Sequence, residues 1–127
     1  MLRLSDVRTL LLQEFPLVSI YNGTIDKNNP NCFGIFTREP VIPVALGGYS
    51  GSSYSNLNVS ILVHWGEDTD ACESLADDVF YFLHCKGPIL VNGKTITSIL
   101  AKGPIDISRD ENNICEMVVH ADIMYTR

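Results

Sequence analysis

Hydrophobic and polar residues alternate along two long runs of the chain, and this alternation predicts two strands. In residues 57–65, the apolar side chains share one parity with the exception of Leu62, and Asn58, Ser60 and His64 share the other. That pattern is typical of a strand with one buried face and one wetter face. Residues 115–125 alternate in the same way. We therefore expect both runs to belong to a sheet, with the last one tied into it.

A second period, of 3.6 residues, predicts a main helix at about residues 69–85. Its apolar stripe consists of Cys72, Leu75, Ala76, Val79 and Leu83. Asp68 or Thr69 is expected to cap its first turn, since both side chains carry an oxygen acceptor. A shorter helix is predicted to begin at Ser5 and to end before Pro16, because proline interrupts helical hydrogen bonding.

The remaining segments complete the predicted fold. Residues 17–21 and 32–37 are rich in strand-forming residues, and Asn92-Gly93 joins two short apolar runs as a hairpin turn. Residues 103–113 are interpreted as a polar connection. The order is helix, strands, loop, strand, helix, hairpin, strand. It predicts a single α+β domain in which two helices pack on one face of a largely antiparallel mixed sheet.

Length and charge limit the classes of function. The chain has 127 residues, enough for one domain over residues 1–127, and its net charge is −6. Seven of its fifteen acidic residues lie between Arg38 and Lys86, where there is no Lys or Arg. Tight binding of nucleic acid needs a basic surface that neutralises phosphates, so we expect none. The apolar runs are far too short to predict a membrane span.

A flexible loop is predicted at about residues 40–56, where glycine, serine and tyrosine predominate. Ser50 lies in a sequence that comes near the nucleophile elbow of serine hydrolases. The pattern fails because Ser52 stands where glycine is needed, and because the segment leads into a strand instead of a helix. Tyrosines among serines and glycines are typical of binding surfaces. The loop therefore favours an interaction protein over an enzyme.

Other candidate chemistry has ordinary explanations. The four cysteines are widely spaced, without a C-x-x-C pair, so free and mostly buried thiols are expected. Cys85 follows His84, but a buried or boundary thiol is favoured there over a metal ligand. His64 and His120 fit paired surface groups as well as a base. The acidic face of the main helix is interpreted as a solvated or interface surface, and no metal or cofactor motif is present.

Three features, in order, resemble a known family. They are the strand 57–65 running into the helix 70–83, the hairpin sequence PILVNGKTI, and the segment 103–113 leading into a final strand that ends IMYT. Together with the N-terminal helix they resemble the tail terminator (minor capsid or tail-completion) proteins of long-tailed bacteriophages. The resemblance implies a structural protein, not an enzyme. It implies a hexameric ring that caps the tail tube, ends tail polymerisation and presents a surface to the connector of the head.

The resemblance also implies partners and sites. The partners are other copies of the chain, the tail tube protein and the head-completion or connector protein, while DNA passes through the ring without tight binding. The location is the virion, at the head–tail junction, after assembly in the bacterial cytoplasm. Tube contact is expected at Gly47, Gly48, Tyr49, Ser50, Gly51 and Tyr54. A subunit interface or the lumen is expected at Glu67, Asp70, Glu73, Asp77, Arg109 and Asp110.

Three alternatives remain open. A head-completion or stopper protein also forms a ring but lies nearer the portal. A small thiol or serine hydrolase would use Cys85 with His84, or Ser50. A ligand-binding domain would need an internal pocket. Co-assembly with tail tubes would exclude the head-completion alternative. Unreactive thiols would exclude the thiol hydrolase, and an internal pocket would support the ligand-binding domain.

Overall fold

A computed structural model describes residues 1–38 and 54–126, and within them the chain forms two helices and six strands. The helices are α1 (Leu4–Glu14) and α2 (Thr69–Leu83). The strands are β1 (Ser19–Asn22), β2 (Asn31–Thr37), β3 (Tyr54–Trp65), β4 (Ile89–Val91), β5 (Lys94–Arg109) and β6 (Cys115–Thr126).

These strands form one sheet in the order β1-β2-β3-β6-β5-β4. β1 runs parallel to β2, and every other neighbouring pair is antiparallel. The final strand, β6, lies between β3 and β5, near the centre of the sheet. The predicted α+β fold with a largely antiparallel mixed sheet is confirmed, and so is the expectation that the last strand is tied into it.

Both helices pack on one face of the sheet, as predicted. α2 contacts β3, β6 and β5, while α1 contacts β1, β2 and β4. Because α1 touches strands at both edges, the sheet is curled around the helical layer. The core residues of the central strands share one parity and are Val59, Ile61, Val63, Val119, Ala121 and Ile123. Each Val and Ile side chain of this layer contributes about 1.5–3 kcal/mol on burial, which makes the layer the main source of stability.

The apolar stripe predicted for α2 is confirmed. Cys72, Ala76, Val79 and Leu83 are fully buried, and Leu75 is half-buried. The Asp68 carboxylate caps the helix by accepting a hydrogen bond from the Asp70 N–H at 3.0 Å. The helix ends at Leu83, two residues before the predicted end, because His84 takes up an extended backbone conformation.

α1 begins at Leu4, one residue before the predicted start. The Asp6 carboxylate accepts a hydrogen bond from the Arg3 N–H at 2.8 Å and so satisfies one of the backbone donors that a helix start leaves unpaired. The last turn closes with the Phe15 N–H on Leu11 O at 2.9 Å. Pro16 follows, as the sequence predicted.

The prediction of a polar connection at residues 103–113 is wrong for most of that segment. β5 continues to Arg109 and stays paired with β6 as far as Cys115. The register shifts between Lys102 and Ile105, on either side of Gly103-Pro104. Such a bulge accommodates a proline, which has no N–H for the sheet, without ending the strand. Only the turn at residues 110–114 connects the two strands.

Candidate functional site

The outer edge of β5 is the longest strand edge among the described residues that no other strand covers. β4 pairs only with residues 94–96. The end of α2 covers the next part of the edge. There, the Cys85 N–H donates to Ile99 O at 3.0 Å, and the Ala101 N–H donates to His84 Nδ1 at 3.3 Å. Up to Ala101 the edge is therefore occupied by contacts within the chain.

Beyond Ala101 the edge is exposed and carries apolar side chains. Residues 102–109 are all exposed except Pro104, which is half-buried. Ile105 is 47% and Ile107 is 50% exposed. The outer edge of a sheet offers unpaired N–H and C=O groups to an approaching strand, and apolar side chains stabilise such pairing. Residues 102–109, hereafter the β5 edge, are a candidate surface for contact with another strand.

The acidic residues of the α2 region form a second surface. The acidic residues of this region that are predicted to face a lumen or a neighbouring subunit are all exposed. These residues are Glu67, Asp70, Glu73 and Asp77. The stripe of α2 that packs on the sheet lies on its other side, so these carboxylates, hereafter the acidic α2 surface, point to solvent. Asp70 lies in the first turn, where a negative charge interacts favourably with the helix dipole.

Arg109, predicted to act with Asp110 at a subunit boundary, already has acceptors within its own chain. Its Nη1 donates to Asn113 O at 2.8 Å. Its Nη2 donates to Glu67 O at 2.8 Å and to Thr69 Oγ1 at 2.7 Å. These bonds hold the end of β5 against the start of α2, so the β5 edge lies beside the acidic α2 surface. A contact of Arg109 with a second subunit stays a prediction.

Asp110 organises the turn between β5 and β6. Its Oδ1 accepts the N–H groups of Asn112, at 2.8 Å, and of Ile114, at 2.9 Å. The hydrogen bond from the Ile114 N–H is the main reason why the pKa of the Asp110 carboxyl lies below its ordinary value. Burial acts in the opposite direction, while the Asn112 N–H and the nearby His64 ring lower the pKa further. A role for Asp110 between subunits stays a prediction.

His64 is buried, which corrects the sequence prediction that its face of β3 is wetter. Its side chain is 0% exposed, and its Nδ1 lies 3.0 Å from Oε2 of Glu116. Glu116 stands directly opposite on β6, so the antiparallel register supplies the polar partner that burial requires. The sequence contains the polar residues of both strands, but it does not show that they stand opposite one another. That pairing depends on the register of β3 and β6, which only the fold reveals.

A second polar cluster lies on the same face of β3 and β6. Ser60 Oγ is 2.8 Å from His120 Nδ1. Asp122 pairs with Arg38, and its other oxygen lies 3.7 Å from Lys102 Nζ. Burial lowers the pKa of His120, and the Arg38 cation lowers it further. One hydrogen bond joins the Ser60 hydroxyl to this ring, and the tautomer of the ring determines which of the two groups donates.

Among the described residues, this serine–histidine pair is surrounded by paired strands of the sheet. An oxyanion needs N–H donors that are not otherwise bonded. Ser60 and His120 stand opposite one another in the middle of two paired strands, where backbone N–H groups are used in the sheet. The geometry is that of a polar contact between strands.

The cysteines agree with the prediction of free and mostly buried thiols, with one correction. Cys32, Cys72 and Cys115 are buried, but Cys85 is exposed. It was expected to be buried or at a boundary, and it is exposed because α2 ends before it. Burial, together with hydrogen bonding to Cys115, raises the pKa of Cys72 to about 12, so that thiol is unreactive.

The ring of His84 makes contacts with residues other than the neighbouring Cys85. Its Nδ1 accepts the Ala101 N–H, and its ring stacks on Phe80 with centroids 4.9 Å apart. A base must reach the proton that it removes, and this nitrogen is already occupied. Ser50, the other nucleophile of the hydrolase alternative, lies outside the described residues.

The predicted tube-contact residues lie mostly in the part of the chain that the structure does not describe. Gly47, Gly48, Tyr49, Ser50 and Gly51 fall there. Tyr54 begins β3, stands opposite Thr126 of β6 and is 49% exposed. Within residues 1–38 and 54–126, no group of three or more His, Cys, Asp or Glu could hold a metal ion. Neither described helix is long and apolar enough to cross a membrane.

Comparison with known proteins gives a likeness in fold. No protein-family model matches the chain. No curated protein matches it significantly. A solved structure, of a protein whose name states no activity, covers 99% of this chain and 96% of its own, with a TM-score of 0.51 and 8% sequence identity. At this identity the likeness shows that the same fold occurs in another protein, and it carries no statement about function.

Proposed function

We propose that this chain is a structural protein of a long-tailed bacteriophage. Copies form a hexameric ring that caps the tail tube, ends tail polymerisation and presents the surface for the head connector. The protein works through its shape and contacts, without catalysis. It assembles in the bacterial cytoplasm and remains in the virion at the head–tail junction. The order of elements that resembles tail terminators supports this proposal, together with the surfaces of the described residues.

The β5 edge is the observation that carries the proposal. A ring closes when each copy presents one surface to the next copy and a different one to the previous copy. An edge with the half-exposed side chains of Ile105 and Ile107 suits such a contact, since pairing with a strand of the neighbour satisfies the backbone and buries apolar surface. In an isolated chain the same edge promotes unspecific aggregation.

The acidic α2 surface fits a ring through which DNA passes. Carboxylates repel phosphates, so a lumen lined by Asp70, Glu73 and Asp77 does not retain DNA. If these residues instead face the adjoining subunit, they need basic partners there. Replacing Glu73 and Asp77 by lysine distinguishes the two placements from a solvent position, because only a solvent position leaves both ring formation and DNA passage unchanged.

The tube-facing surface is proposed to be the segment at residues 47–56. Tyr54 supports this placement, since this residue is 49% exposed at the end of the long β3–β6 pair. A tyrosine provides a large contact area and loses few rotamers when it is fixed. Deletion of residues 48–53 is expected to abolish tube binding and to leave the fold intact.

A pair of surface variants tests the proposal. Ile105→Lys combined with Ile107→Lys places charge on the β5 edge, while Leu17→Lys is the control, since Leu17 is 98% exposed and precedes β1, at the other side of the sheet order. Each protein is added to growing tail tubes of the phage that encodes it, and tube ends and lengths are measured by electron microscopy.

We expect the wild type and Leu17→Lys to cap tubes as rings, and the double variant to remain folded by circular dichroism without capping. Capping by the double variant at the wild-type level would contradict a role for the β5 edge. Co-assembly with DNA-filled capsids, and not with tail tubes, would support a head-completion protein instead.

A further inference from the structure

The buried ring of His64 lies between two carboxylates that come from different parts of the chain. Its Nδ1 is 3.0 Å from Oε2 of Glu116, and its Nε2 is 3.7 Å from Oδ2 of Asp110. Nε2 and this Asp110 oxygen are both buried, and neither has a hydrogen-bond partner among the described residues. Buried polar atoms normally have partners, so this gap needs a chemical explanation.

The titratable groups around the ring come from four parts of the chain. β6 provides Glu116, and the turn after β5 provides Asp110. β2 places Cys32 directly opposite His64, and burial raises the pKa of that thiol, so it is neutral. From the segment between β1 and β2, the charge of Lys27 acts on Asp110. The ring therefore faces two carboxylates directly, while Lys27 and Asp26, whose charges act on its neighbours Asp110 and Cys32, lie at longer range.

The number of protons on the ring decides whether both carboxylates can be bound. A neutral imidazole has one N–H, and donating it to Glu116 leaves the lone pair of Nε2 directed at the Asp110 carboxylate. The imidazolium has two N–H groups and can donate to both carboxylates as charge-assisted hydrogen bonds. The distance of 3.7 Å between Nε2 and Asp110 Oδ2 lies just beyond hydrogen-bond length, so a small movement of the turn closes it.

Asp110 transmits this difference to the neighbouring backbone. Its other carboxylate oxygen holds the N–H groups of Asn112 and Ile114. Arg109, the residue before it, holds the end of β5 against Glu67 and Thr69 at the start of α2. A change in how firmly Asp110 is fixed therefore affects the turn at residues 110–114 and the end of β5.

We propose that His64 is a proton-controlled latch for the turn at residues 110–114. As the imidazolium it bridges Glu116 and Asp110 and fixes the turn; as the neutral imidazole it releases Asp110 and loosens the turn. The latch lies within a single chain and does not depend on the proposed function, so its failure would leave that proposal standing.

The test follows the ring and the turn in the same sample of the full chain. The ¹⁵N signals of the His64 ring report its protonation between about pH 5 and pH 8, a range in which histidine changes charge and ordinary carboxylates do not. Hydrogen exchange of the Ile114 N–H, corrected for the intrinsic effect of pH, reports how firmly Asp110 holds the turn. We expect exchange to slow at least about tenfold as the ring gains its second proton, which is the lower end of the range for one hydrogen bond to a charged group.

Two variants separate the latch from a general effect of pH. Asp110→Asn keeps an oxygen acceptor for the turn but removes the charge that the imidazolium attracts, so we expect the ring to titrate while Ile114 exchange no longer follows it. His120→Gln, which changes the other polar cluster on this face, is the matched control and should retain the wild-type behaviour.

Any of three results would overturn the latch. The first is a His64 ring that keeps one protonation state over this pH range, and the second is exchange of the Ile114 N–H in the wild type that does not follow the protonation of the ring. The third result is exchange of the Ile114 N–H that still follows the ring in Asp110→Asn. The wild-type measurement decides even if Asp110→Asn fails to fold, because it compares two signals of the same molecule.

Discussion

Oδ2 of Asp6 lies 2.7 Å from Nζ of Lys94, which joins the first turn of α1 to the first residue of β5. The other carboxylate oxygen accepts a hydrogen bond from Asn92 Nδ2 at 2.9 Å, in the turn of the β4–β5 hairpin. Asp6 is 3% exposed, so water does not replace these partners easily. This one carboxylate connects an element at the start of the chain with a hairpin almost 90 residues later.

Asp6→Ala is expected to lower the free energy of unfolding by about 1.5–3 kcal/mol, the usual range for hydrogen bonds to a charged group. The variant leaves the Arg3 N–H and the Lys94 ammonium without their acceptor. Urea unfolding followed by circular dichroism measures the change. Glu14→Ala, an exposed acid at the end of the same helix, is the control and should change stability by less than about 0.5 kcal/mol. Equal effects of the two variants would show that the Asp6 contacts do not stabilise the fold.

The same carboxylate predicts a loss of stability in acid. Burial alone would raise the pKa of Asp6, but hydrogen bonds from Lys94, Asn92 and the Arg3 N–H together hold it below its ordinary value of 3.8. A pKa lowered by folding stabilises the protein fully above the unfolded value, and this contribution is lost as the pH falls through the folded value. The difference in unfolding free energy between wild type and Asp6→Ala should therefore be constant at neutral pH and shrink below about pH 4. A difference that persists at about pH 2 would contradict this account.

The lowered pKa of His120 predicts that stability also depends on pH near neutrality. Burial and the neighbouring Arg38 lower its pKa from 6.5, so below that value the unfolded chain binds a proton that the folded chain does not. The contribution of His120 to stability should then fall as the pH decreases from about 7.5 to 5.5, by less than about 1 kcal/mol because the ring is only partly buried. His120→Gln should remove this component in chemical denaturation at the two pH values. The prediction is wrong if the variant and the wild type lose stability equally.

The burial of the cysteines predicts how many thiols react in the native protein. Of the four cysteines only Cys85 is exposed, while burial raises the pKa of Cys32 and, to about 12, that of Cys72. A small aromatic disulfide reagent should modify one thiol per native chain and four after denaturation. Cys85→Ser should remove the fast reaction, and rapid modification of two or more thiols in the native protein would contradict the described burial.

The sequence predicted the elements whose periodicity is determined by one buried face. The stripe of α2 and the alternation of β6 are of this kind, because most of their apolar residues face one layer. The turn at Asn92-Gly93 was predicted equally well, since both residues adopt the positive φ that this hairpin requires. These signals are local and depend little on the rest of the fold.

The features that the sequence did not predict depend on contacts between distant residues. β5 continues past Gly103-Pro104 because β6 lies beside it and a bulge absorbs the proline. His64 is buried because Glu116, 52 residues later, stands opposite it. Arg109 binds the start of α2 because the β5–β6 hairpin brings it there, and no local pattern contains that information.

The mass of the particle with and without tail tubes tests the central claim most directly. Analytical ultracentrifugation gives the mass of the purified chain, and mass measurement of capped tubes by electron microscopy gives the number of copies at each tube end. The account predicts six copies at the end of each tube, in contact with one another, and tubes that no longer grow. A chain that stays a single copy and never joins a tube, or tubes that keep growing in its presence, would contradict it.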